Sequence, residues 1–310
     1  MELIRGLYNI KERHRSCLLT IGNFDGIHRG HKALIAHLLE EGNKHNLPVL
    51  VMLFEPQPLE LFANQKAPAR LTCLREKLKH LKQAGINTVL CIRFDISFAS
   101  YSAQRFILEI LVKTLNIKFL AIGDDFRFGH DRKGDFLLLQ RASIKYQFKI
   151  LKTQTLYYNN QRISSTAVRQ ALTKNDFVMA EQLLGYPFSI SGRVMHGNGL
   201  GSTIGVPTAN IPLYHLVMPV KGVFIVEIEG ISSHAIPGIA NIGTRPTIKG
   251  KTQQLEVHLI DTCLNLYNKR IEVVLKKKIR NEQCFPSLKD LRKQIEKDAI
   301  MARKFFELKK

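Results

Sequence analysis

The chain has 310 residues, a hydrophobic content of 45% and a formal net charge of +20. This length and apolar content suffice for one large domain or two ordinary ones. Its five cysteines are odd in number, lie far apart and form no CxxC pair, which argues against a disulfide framework and a structural zinc site. Since no apolar run approaches the roughly 20 residues that span a bilayer, we expect a cytoplasmic protein without a membrane partner.

The positive charge is distributed over the whole chain. Residues 1–186 carry 27 Lys and Arg against 16 Asp and Glu, a net charge of +11. Residues 187–310 carry 19 against 10, a net charge of +9. Because the excess forms no concentrated basic arm, it favours anionic small substrates such as nucleotides over nucleic acid. The sequence does not indicate an oligomeric state.

In the first half of the chain, short apolar runs alternate with helical patterns. One helix is predicted over 75–84, before Gly85, and another over 102–115, with Ser102 as its N-cap. Strands separated by such helices form a doubly wound parallel sheet, whose ligand site lies at the carboxyl ends of the strands. The predicted strands are 17–21, 48–54, 88–94, 118–122 and 148–151.

Residues 22–31 join a predicted strand to a predicted helix and read GNFDGIHRGH. Glycines such as Gly22 and Gly30 let backbone N–H groups and the positive end of the helix dipole point at one spot, which makes the corner a phosphate site. His28 and His31 add donors that meet negative charge as a triphosphate leaves, so the segment indicates nucleotidyl transfer. An isolated HxGH pattern is more often a surface turn, and the strand–helix context is what favours the functional interpretation.

Two further segments of the first half carry groups suited to phosphate or metal. Residues 162–169 read RISSTAVR and open a predicted helix, with Arg162 and Arg169 matching phosphate oxygens; a simple Ser/Thr cap is the alternative. Residues 123–129 read GDDFRFG and end a strand with carboxylates that can hold Mg²⁺; an Asp-rich turn is the alternative. The hydroxyl-bearing candidates of the first segment are Ser164, Ser165 and Thr166.

Beyond residue 186 the pattern changes to closely spaced strands. A helical stretch over 167–184 ends at a Gly-Tyr-Pro sequence, and we place a domain boundary between residues 186 and 187. Short, closely spaced strands predict a compact antiparallel barrel, and an amphipathic helix over 287–308 closes the chain. The predicted strands of this half are 189–195, 222–229, 255–260 and 270–275.

A glycine-rich loop over 197–205 leads into the sequence VPTAN at 206–210. Thr208 and Asn210 alternate along a strand start, so both side chains face one side, as a shared Mg²⁺ requires. Glu256 is a lone acid in an alternating strand, and a solvated outward carboxylate is the alternative that the sequence leaves open. A flexible hairpin loop is the alternative for the glycines. Repeated glycines let N–H groups approach phosphates closely, and the candidates are Gly199, Gly201 and Gly205.

Together these motifs resemble the prokaryotic bifunctional riboflavin kinase/FAD synthetase family over nearly the whole chain. The resemblance implies that ATP phosphorylates riboflavin to FMN and that a second ATP adenylylates FMN to FAD with loss of pyrophosphate, with Mg²⁺ as cofactor. It also implies a Rossmann-like nucleotidyltransferase domain over 1–186 and a six-stranded β-barrel kinase domain with a C-terminal helix over 187–310. The matching segments are 20–31, 54–58, 70–72, 123–129, 131–135, 163–169, 205–210, 241–247 and 255–259.

By motif position, the resemblance implies roles for residues of the adenylyltransferase half. His28 and His31 would stabilise the leaving pyrophosphate, with Asn23 nearby, and Asp125 would occupy the metal-binding position. The FMN phosphate is already an anion, so its adenylylation needs no base, only positioning and charge neutralisation by cationic His and Arg. The residues of the implied phosphate-gripping loop are Arg162, Ser165, Thr166 and Arg169.

In the kinase half, the resemblance implies that Thr208 and Asn210 hold Mg²⁺ and that Glu256 is the general base. A riboflavin hydroxyl is a poor nucleophile, so its phosphorylation benefits from a carboxylate that accepts the proton. The sequence does not identify the flavin-contacting residues. Three positions depart from the family pattern and bear on kinase affinity more than on kinase identity; they are Ser202, Val206 and Phe224.

Two alternative functions agree less well with the sequence. A single-activity nucleotidyltransferase with a degenerate second domain is disfavoured because Thr208, Asn210 and Glu256 are all present. A flavin-binding regulator that contacts RNA is disfavoured by the diffuse charge and by the absence of interleaved aromatic and basic residues.

Overall fold

The computed structural model describes residues 1–63, 66–123, 126–152, 155–197, 205–213, 217–247, 250–262 and 264–308. The chain forms two compact units. The first contains Met1–Pro68 and Thr72–Ser165, and the second contains Ala69–Leu71 and Thr166–Lys310. No helix within the described ranges is both long enough and apolar enough to cross a membrane.

The first unit is built on a six-stranded parallel sheet with the strand order β1-β4-β3-β2-β5-β6. Each of the five strands predicted for this half is present. The edge strand β1 was not predicted, because only two apolar residues, Leu3 and Ile4, lie between Glu2 and Arg5 and form no apolar run. The strands are β1 (Glu2–Arg5), β2 (Leu18–Ile21), β3 (Val49–Glu55), β4 (Thr88–Arg93), β5 (Phe119–Ile122) and β6 (Lys149–Lys152), with a separate ribbon of β7 (Tyr157–Tyr158) and β8 (Gln161–Arg162).

Helices cover both faces of this sheet, as a doubly wound fold requires. Alternate residues of β3 belong to different core clusters, with Leu50 and Met52 on one face and Val51 and Leu53 on the other. Ser102 caps its helix through a hydrogen bond from the Arg105 backbone N–H, as predicted. The helices are α1 (Arg29–His45), α2 (Pro58–Ala63), α3 (Leu74–Gln83), α4 (Ile96–Ala99), α5 (Ala103–Arg105), which continues as a π-helix over Phe106–Thr114, and α6 (Phe136–Tyr146).

The strand order reverses between β2 and β5, which are neighbours in the sheet. Strands β3 and β4 lie on one side of this point and β6 on the other. In open parallel sheets, ligands bind at the carboxyl ends of the strands at such a reversal. Residues 22–31 follow β2 at this place, so the fold puts the predicted phosphate corner where a ligand site belongs.

The second unit contains a six-stranded antiparallel sheet with the order β10-β13-β12-β11-β14-β9. A bridge between Met195 and Asn210 joins the two edges, so the sheet nearly closes into the predicted barrel. Strand β12 was not predicted, because Pro237 and Gly238 interrupt its apolar pattern. The strands are β9 (Ser189–Arg193), β10 (Ala209–Leu213), β11 (Gly222–Glu229), β12 (Ile236–Thr247), β13 (Gly250–Leu259) and β14 (Arg270–Arg280).

Among the described residues, the second unit contains the helices α7 (Ser165–Thr173), which begins at the last residue of the first unit, α8 (Phe177–Leu184) and α9 (Leu288–Phe305). Ser287 caps α9 through a hydrogen bond from the Asp290 N–H, as predicted. The Phe177 ring meets Phe224 of the barrel edge-on, with centroids 5.9 Å apart. Both helices that precede residue 186 thus belong almost entirely to the compact unit of the barrel, whereas the boundary between the two activities stays a prediction.

Candidate active sites

The loop after β2 brings His28 and His31 together at the beginning of α1. His28 is the N-cap, and its Nδ1 accepts a hydrogen bond from the His31 backbone N–H at 3.3 Å. The two imidazole rings stack with their centroids 3.7 Å apart and an angle of 15° between their planes. A Cβ at Gly30 would lie 3.2 Å from the His28 ring, so glycine lets this ring pack against the backbone. The predicted histidines form a stacked pair at a helix N-terminus, where anions bind.

Hydrogen bonds from two other segments fix this loop. The buried Asp25 carboxylate accepts hydrogen bonds from the Thr72 backbone N–H at 3.1 Å and from its hydroxyl at 3.2 Å. The Thr72 hydroxyl in turn accepts one from the Gly26 N–H at 2.9 Å. The Ser165 hydroxyl donates to the backbone oxygen of Asp25 at 2.8 Å. Ser165, a predicted phosphate ligand, therefore also supports the loop that carries the histidines.

His31 lies in a desolvated and positively charged environment. Burial, followed by the charges of His28 and Lys77, lowers the pKa of His31 well below its usual value. Its Nδ1 atom is buried and has no hydrogen-bond partner in the part of the chain that the structure describes. At neutral pH the ring is therefore uncharged, which differs from the cationic histidine expected from the sequence. A neutral imidazole still donates one N–H to an anion.

The other phosphate-binding candidates of this half lie on several elements. Gly22 and Asn23 directly follow β2 and line a cavity. Arg162 is exposed at the end of β8, and Ser164 lies between that strand and α7. The predicted metal ligand, Asp125, lies outside the described residues.

Two of the candidates on α7, Thr166 and Arg169, belong to the second unit. Thr166 is exposed. The Arg169 Nε donates a hydrogen bond to the backbone oxygen of Ala69, which belongs to the same unit. The predicted phosphate-gripping loop is therefore divided between the two compact units.

The cavity beside Gly22 and Asn23 has a volume of about 710 Å³ and a wall of aromatic rings. Phe98 and Tyr101 stack with centroids 5.3 Å apart, and Phe126 and Phe128 stack at 5.6 Å. The volume lies within the range of small-molecule sites, and the apolar lining suits a flat aromatic ligand. The sequence did not identify this wall, because its members come from separate segments of the chain. They are Phe54, Phe62, Phe94, Phe98, Tyr101, Phe106, Phe126 and Phe128.

In the barrel, strand register places polar residues in one row. Glu256 of β13 lies opposite Asn210 of β10 on one side and opposite Asn241 of β12 on the other. Directly opposed residues share a face of the sheet, so the three side chains lie on the same side. The Oδ1 atom of Asn241 is buried and has no hydrogen-bond partner within the described ranges. Sequence reasoning missed Asn241 as a site residue, although it begins the segment 241–247 that carries the family resemblance.

The predicted metal ligands of this half lie beside Glu256. The Nδ2 of Asn210 donates to the backbone oxygen of Thr208 at 3.4 Å, and its Oδ1 accepts a hydrogen bond from Nε2 of Gln254. A Cβ at Gly197 would collide with the Asn210 amide, so only glycine permits this close approach. Thr208 and Glu256 line the same cavity, of about 140 Å³. The structure thus brings Thr208, Asn210 and Glu256 together, and their roles in catalysis stay predictions.

A buried ion pair forms another wall of this cavity. Arg280 donates to the Asp298 carboxylate through Nε at 3.0 Å and Nη2 at 2.8 Å, and Asp298 is only 1% exposed. Gln294 adds a hydrogen bond from its Nε2 to Asp298 at 2.9 Å. Sequence reasoning missed this pair, because Arg280 ends a strand and Asp298 lies on α9, and no local pattern connects them.

The glycine loop before Thr208 is described only in part. Gly205 is exposed and has a φ of +75°, whereas Gly199, Gly201 and Ser202 lie outside the described residues. Phe224 is completely buried. Its departure from the family pattern therefore lies in the core of the unit.

Comparison with known proteins finds a matching family for each half of the chain. A family model described as FAD synthetase matches residues 10–167, and one described as riboflavin kinase matches residues 184–306. The bifunctional riboflavin kinase/FMN adenylyltransferase of Escherichia coli strain K12 is 61% identical over 311 residues, covering 100% of this chain and 99% of that protein. Its namesake from Haemophilus influenzae is 49% identical over 306 residues, covering 99% of each. The chain belongs to the bifunctional riboflavin kinase/FMN adenylyltransferase family.

A crystal structure agrees with this assignment in fold. The structure, titled macrolide-efflux protein from Streptococcus pneumoniae, has a TM-score of 0.79 and 29% identity, and the match covers 98% of this chain and 99% of that one. The likeness confirms a parallel α/β domain followed by an antiparallel barrel with a C-terminal helix.

As a member of this family, the chain is a transferase with two activities, riboflavin kinase and FMN adenylyltransferase. ATP and riboflavin are substrates, FMN is a product of one reaction and a substrate of the other, and FAD is the final product. The alternative of a single activity with a degenerate second domain is not supported, because both family models match.

Proposed function

We propose that FMN attacks ATP at the corner formed by His28 and His31. An oxygen of the FMN phosphate bonds to the α-phosphorus of ATP as the bond to pyrophosphate breaks. The imidazole N–H groups and the N-terminus of α1 donate to the charge that develops on the leaving group. An approaching triphosphate raises the pKa of His31, so a ring that is neutral in the free protein takes up a proton more readily when ATP binds.

The flavin ring of FMN occupies the aromatic cavity of the first unit in this proposal. The cavity shares Gly22 and Asn23 with the histidine corner, so a flavin there would have its phosphate near the reacting ATP. Contact with the aromatic rings of Phe98, Tyr101 and Phe126 suits a flat aromatic ligand. Holding both substrates in this way supplies the positioning on which adenylyl transfer depends.

The row on the barrel carries the kinase reaction. Glu256 accepts the proton of the riboflavin hydroxyl as that oxygen bonds to the γ-phosphorus of ATP and ADP leaves. Asn210 and Asn241 flank the carboxylate in register. The observation that carries this assignment is the register itself, because it sets Glu256 between two amides and in one cavity with Thr208.

The residues around Glu256 also fit a Mg²⁺ ion shared with ATP. Mg²⁺ prefers hard oxygen ligands and usually binds one or two protein groups together with substrate phosphates. Thr208 and Asn210 offer such oxygens, and the hydrogen bond from Gln254 holds the Asn210 amide. The bound ion would neutralise phosphate charge as the γ-phosphoryl group transfers. The proposal includes a cytoplasmic location, where ATP is available.

One incubation tests the proposal as a whole. The purified chain is supplied with riboflavin, ATP and Mg²⁺, and FMN and FAD are followed by chromatography. We expect FMN to appear first and FAD to follow, with pyrophosphate released in the second step. Omission of Mg²⁺ should suppress FMN formation. FMN formed at an unchanged rate in a Mg²⁺-chelating buffer would contradict the metal assignment.

A further inference from the structure

A chain of contacts runs outward from the aromatic cavity to the protein surface. Tyr101 lines the cavity, and the Cζ of Arg105 lies 3.9 Å from the centroid of the Tyr101 ring. The Nε of Arg105 donates to the Glu109 carboxylate at 2.9 Å. Arg105 and Glu109 form an (i, i+4) ion pair, whereas Tyr101 directly precedes Ser102, the N-cap of α5. Arg105 itself does not line the cavity.

Two side chains contact the Tyr101 ring. Phe98 stacks on it at an angle of 19°, and the Arg105 guanidinium covers a ring face. Arg105 belongs to α5. Its backbone N–H donates a hydrogen bond at 3.1 Å to the hydroxyl of Ser102, which is the N-cap of this helix. The backbone oxygen of Tyr101 also accepts a hydrogen bond from the His130 N–H at 2.7 Å, and His130 lines the same cavity. The tyrosine is thus fixed at both its backbone and its ring.

We propose that Arg105 is a positioning residue for FMN adenylylation, acting through Tyr101. The inference rests on the proposed flavin position, because Tyr101 forms a wall of the cavity assigned to the flavin. A guanidinium over a tyrosine ring is attractive, and its planar group, held by Glu109, restricts where the ring can move. A ring that is already fixed loses less conformational entropy when the flavin binds. Arg105 therefore lowers the KM for FMN without contacting FMN.

A purely structural role gives a different result. Arg105 is exposed, and a substitution at an exposed ion pair changes stability little. Such a role leaves the KM for FMN unchanged, or alters both substrates and both reactions together. A positioning role is selective, since it raises the KM for FMN and leaves the KM for ATP and the kinase reaction unchanged. A direct contact between Arg105 and the FMN phosphate also raises the KM, but independently of Tyr101.

The experiment is a double-mutant cycle on the full chain, with FMN supplied and FAD formation measured. We expect Arg105→Ala to raise the KM for FMN about three- to fivefold, the effect of one exposed cation–π contact. The kcat and the KM for ATP should stay within about twofold. Tyr101→Leu should raise the KM for FMN by more, and adding Arg105→Ala to it should have no further effect. Arg105→Lys, which keeps the cation, should restore part of the loss.

Lys44→Ala is the matched control, because Lys44 forms an exposed helical ion pair with Glu41 in the same unit, at 2.6 Å. It should leave every constant unchanged, as should the riboflavin kinase rate of all variants. If Tyr101→Leu raises the KM for FMN and Arg105→Ala does not, the positioning role is wrong and the flavin position stands. If neither substitution changes the KM for FMN, the proposed flavin position is wrong, and so is the positioning role of Arg105. If the effects of the two substitutions on the KM for FMN are additive, the positioning role is wrong and Arg105 contacts FMN directly.

Discussion

At His31 the sequence predicts a cationic imidazole, whereas the structure favours a neutral one. Burial removes the water that would stabilise a proton there, and the charges of the stacked His28 and of Lys77 disfavour it further. Between the lowered pKa and 6.5, the unfolded chain binds this proton and the folded chain does not. The free energy of unfolding therefore decreases as the pH falls below about 6.5, and this loss is absent above it.

Histidine side-chain NMR of the ligand-free protein tests this ionisation. We expect His31 to titrate well below 6.5, and to shift toward the protonated form when a non-hydrolysable ATP analogue binds. The variant His31→Gln assigns the resonance by its disappearance. A midpoint at or above 6.5 in the ligand-free protein contradicts the neutral ring.

The two histidines should matter for one reaction only. With both replaced by Ala, FAD formation should slow by on the order of 10²-fold or more, because the leaving pyrophosphate loses its donors. FMN formation should stay nearly intact and serves as the control for folding. Equal losses in both reactions would point to a folding defect, and unchanged FAD synthesis would remove His28 and His31 from the chemistry.

A substitution at Glu256 in the barrel should have the opposite selectivity, slowing FMN formation and not FAD formation. Glu256→Gln keeps the shape and a hydrogen-bonding oxygen but removes the charge and the basicity. A positioned general base contributes about 10²–10⁴-fold, so FMN production should fall by that order. Adenylylation of FMN supplied from outside should proceed as before. A variant that phosphorylates riboflavin at the unmodified rate would make Glu256 a solvated strand residue.

At the scale of elements, the sequence predicted what is local. The strands of the parallel sheet are apolar runs, and caps at Ser102 and Ser287 form because a single hydroxyl suffices. The aromatic cavity could not be predicted, since its rings come from segments that meet only in the folded unit. The same holds for the row around Glu256, because the residue opposite it depends on the register of two neighbouring strands.

The helices α7 and α8 determine how stable a fragment of the predicted kinase half is. Phe177 and Leu184 of α8 are buried, and the Phe177 ring packs on Phe224. A fragment of residues 187–310 lacks this cover, whereas a fragment of residues 166–310 keeps it. Since each buried aromatic or leucine side chain stabilises by about 1.5–3 kcal/mol, the longer fragment should melt at least about 5 °C higher.

Both fragments should convert riboflavin to FMN, and neither should form FAD. Both lack Ala69–Leu71, so the comparison isolates the helices. Thermal melts followed by circular dichroism and a riboflavin kinase assay measure the two quantities. A folded, soluble fragment of residues 166–310 without kinase activity, beside an active full chain, would show that the proposed division of activities is wrong.

For the whole molecule, the net charge of +20 acts on substrates of different charge. ATP and FMN are anions and are attracted by a positive field, whereas riboflavin is neutral and is not. Salt shortens the reach of this field from about 10 Å at 0.1 M to about 3 Å at 1 M. Raising the salt from about 0.05 to 0.5 M should therefore increase the KM for FMN roughly three- to tenfold, and the KM for riboflavin less than twofold.

Riboflavin is the internal control in this measurement, because it reacts on the same chain in the same buffer. Potassium chloride and potassium acetate should act alike if screening is the cause. An equal increase of both KM values would mean that salt acts on the fold. The same field would also attract RNA, so a short RNA added at about 0.15 M salt should not compete with FMN if the diffuse charge serves small anions. Tight, salt-dependent RNA binding under that condition would favour the regulator that contacts RNA.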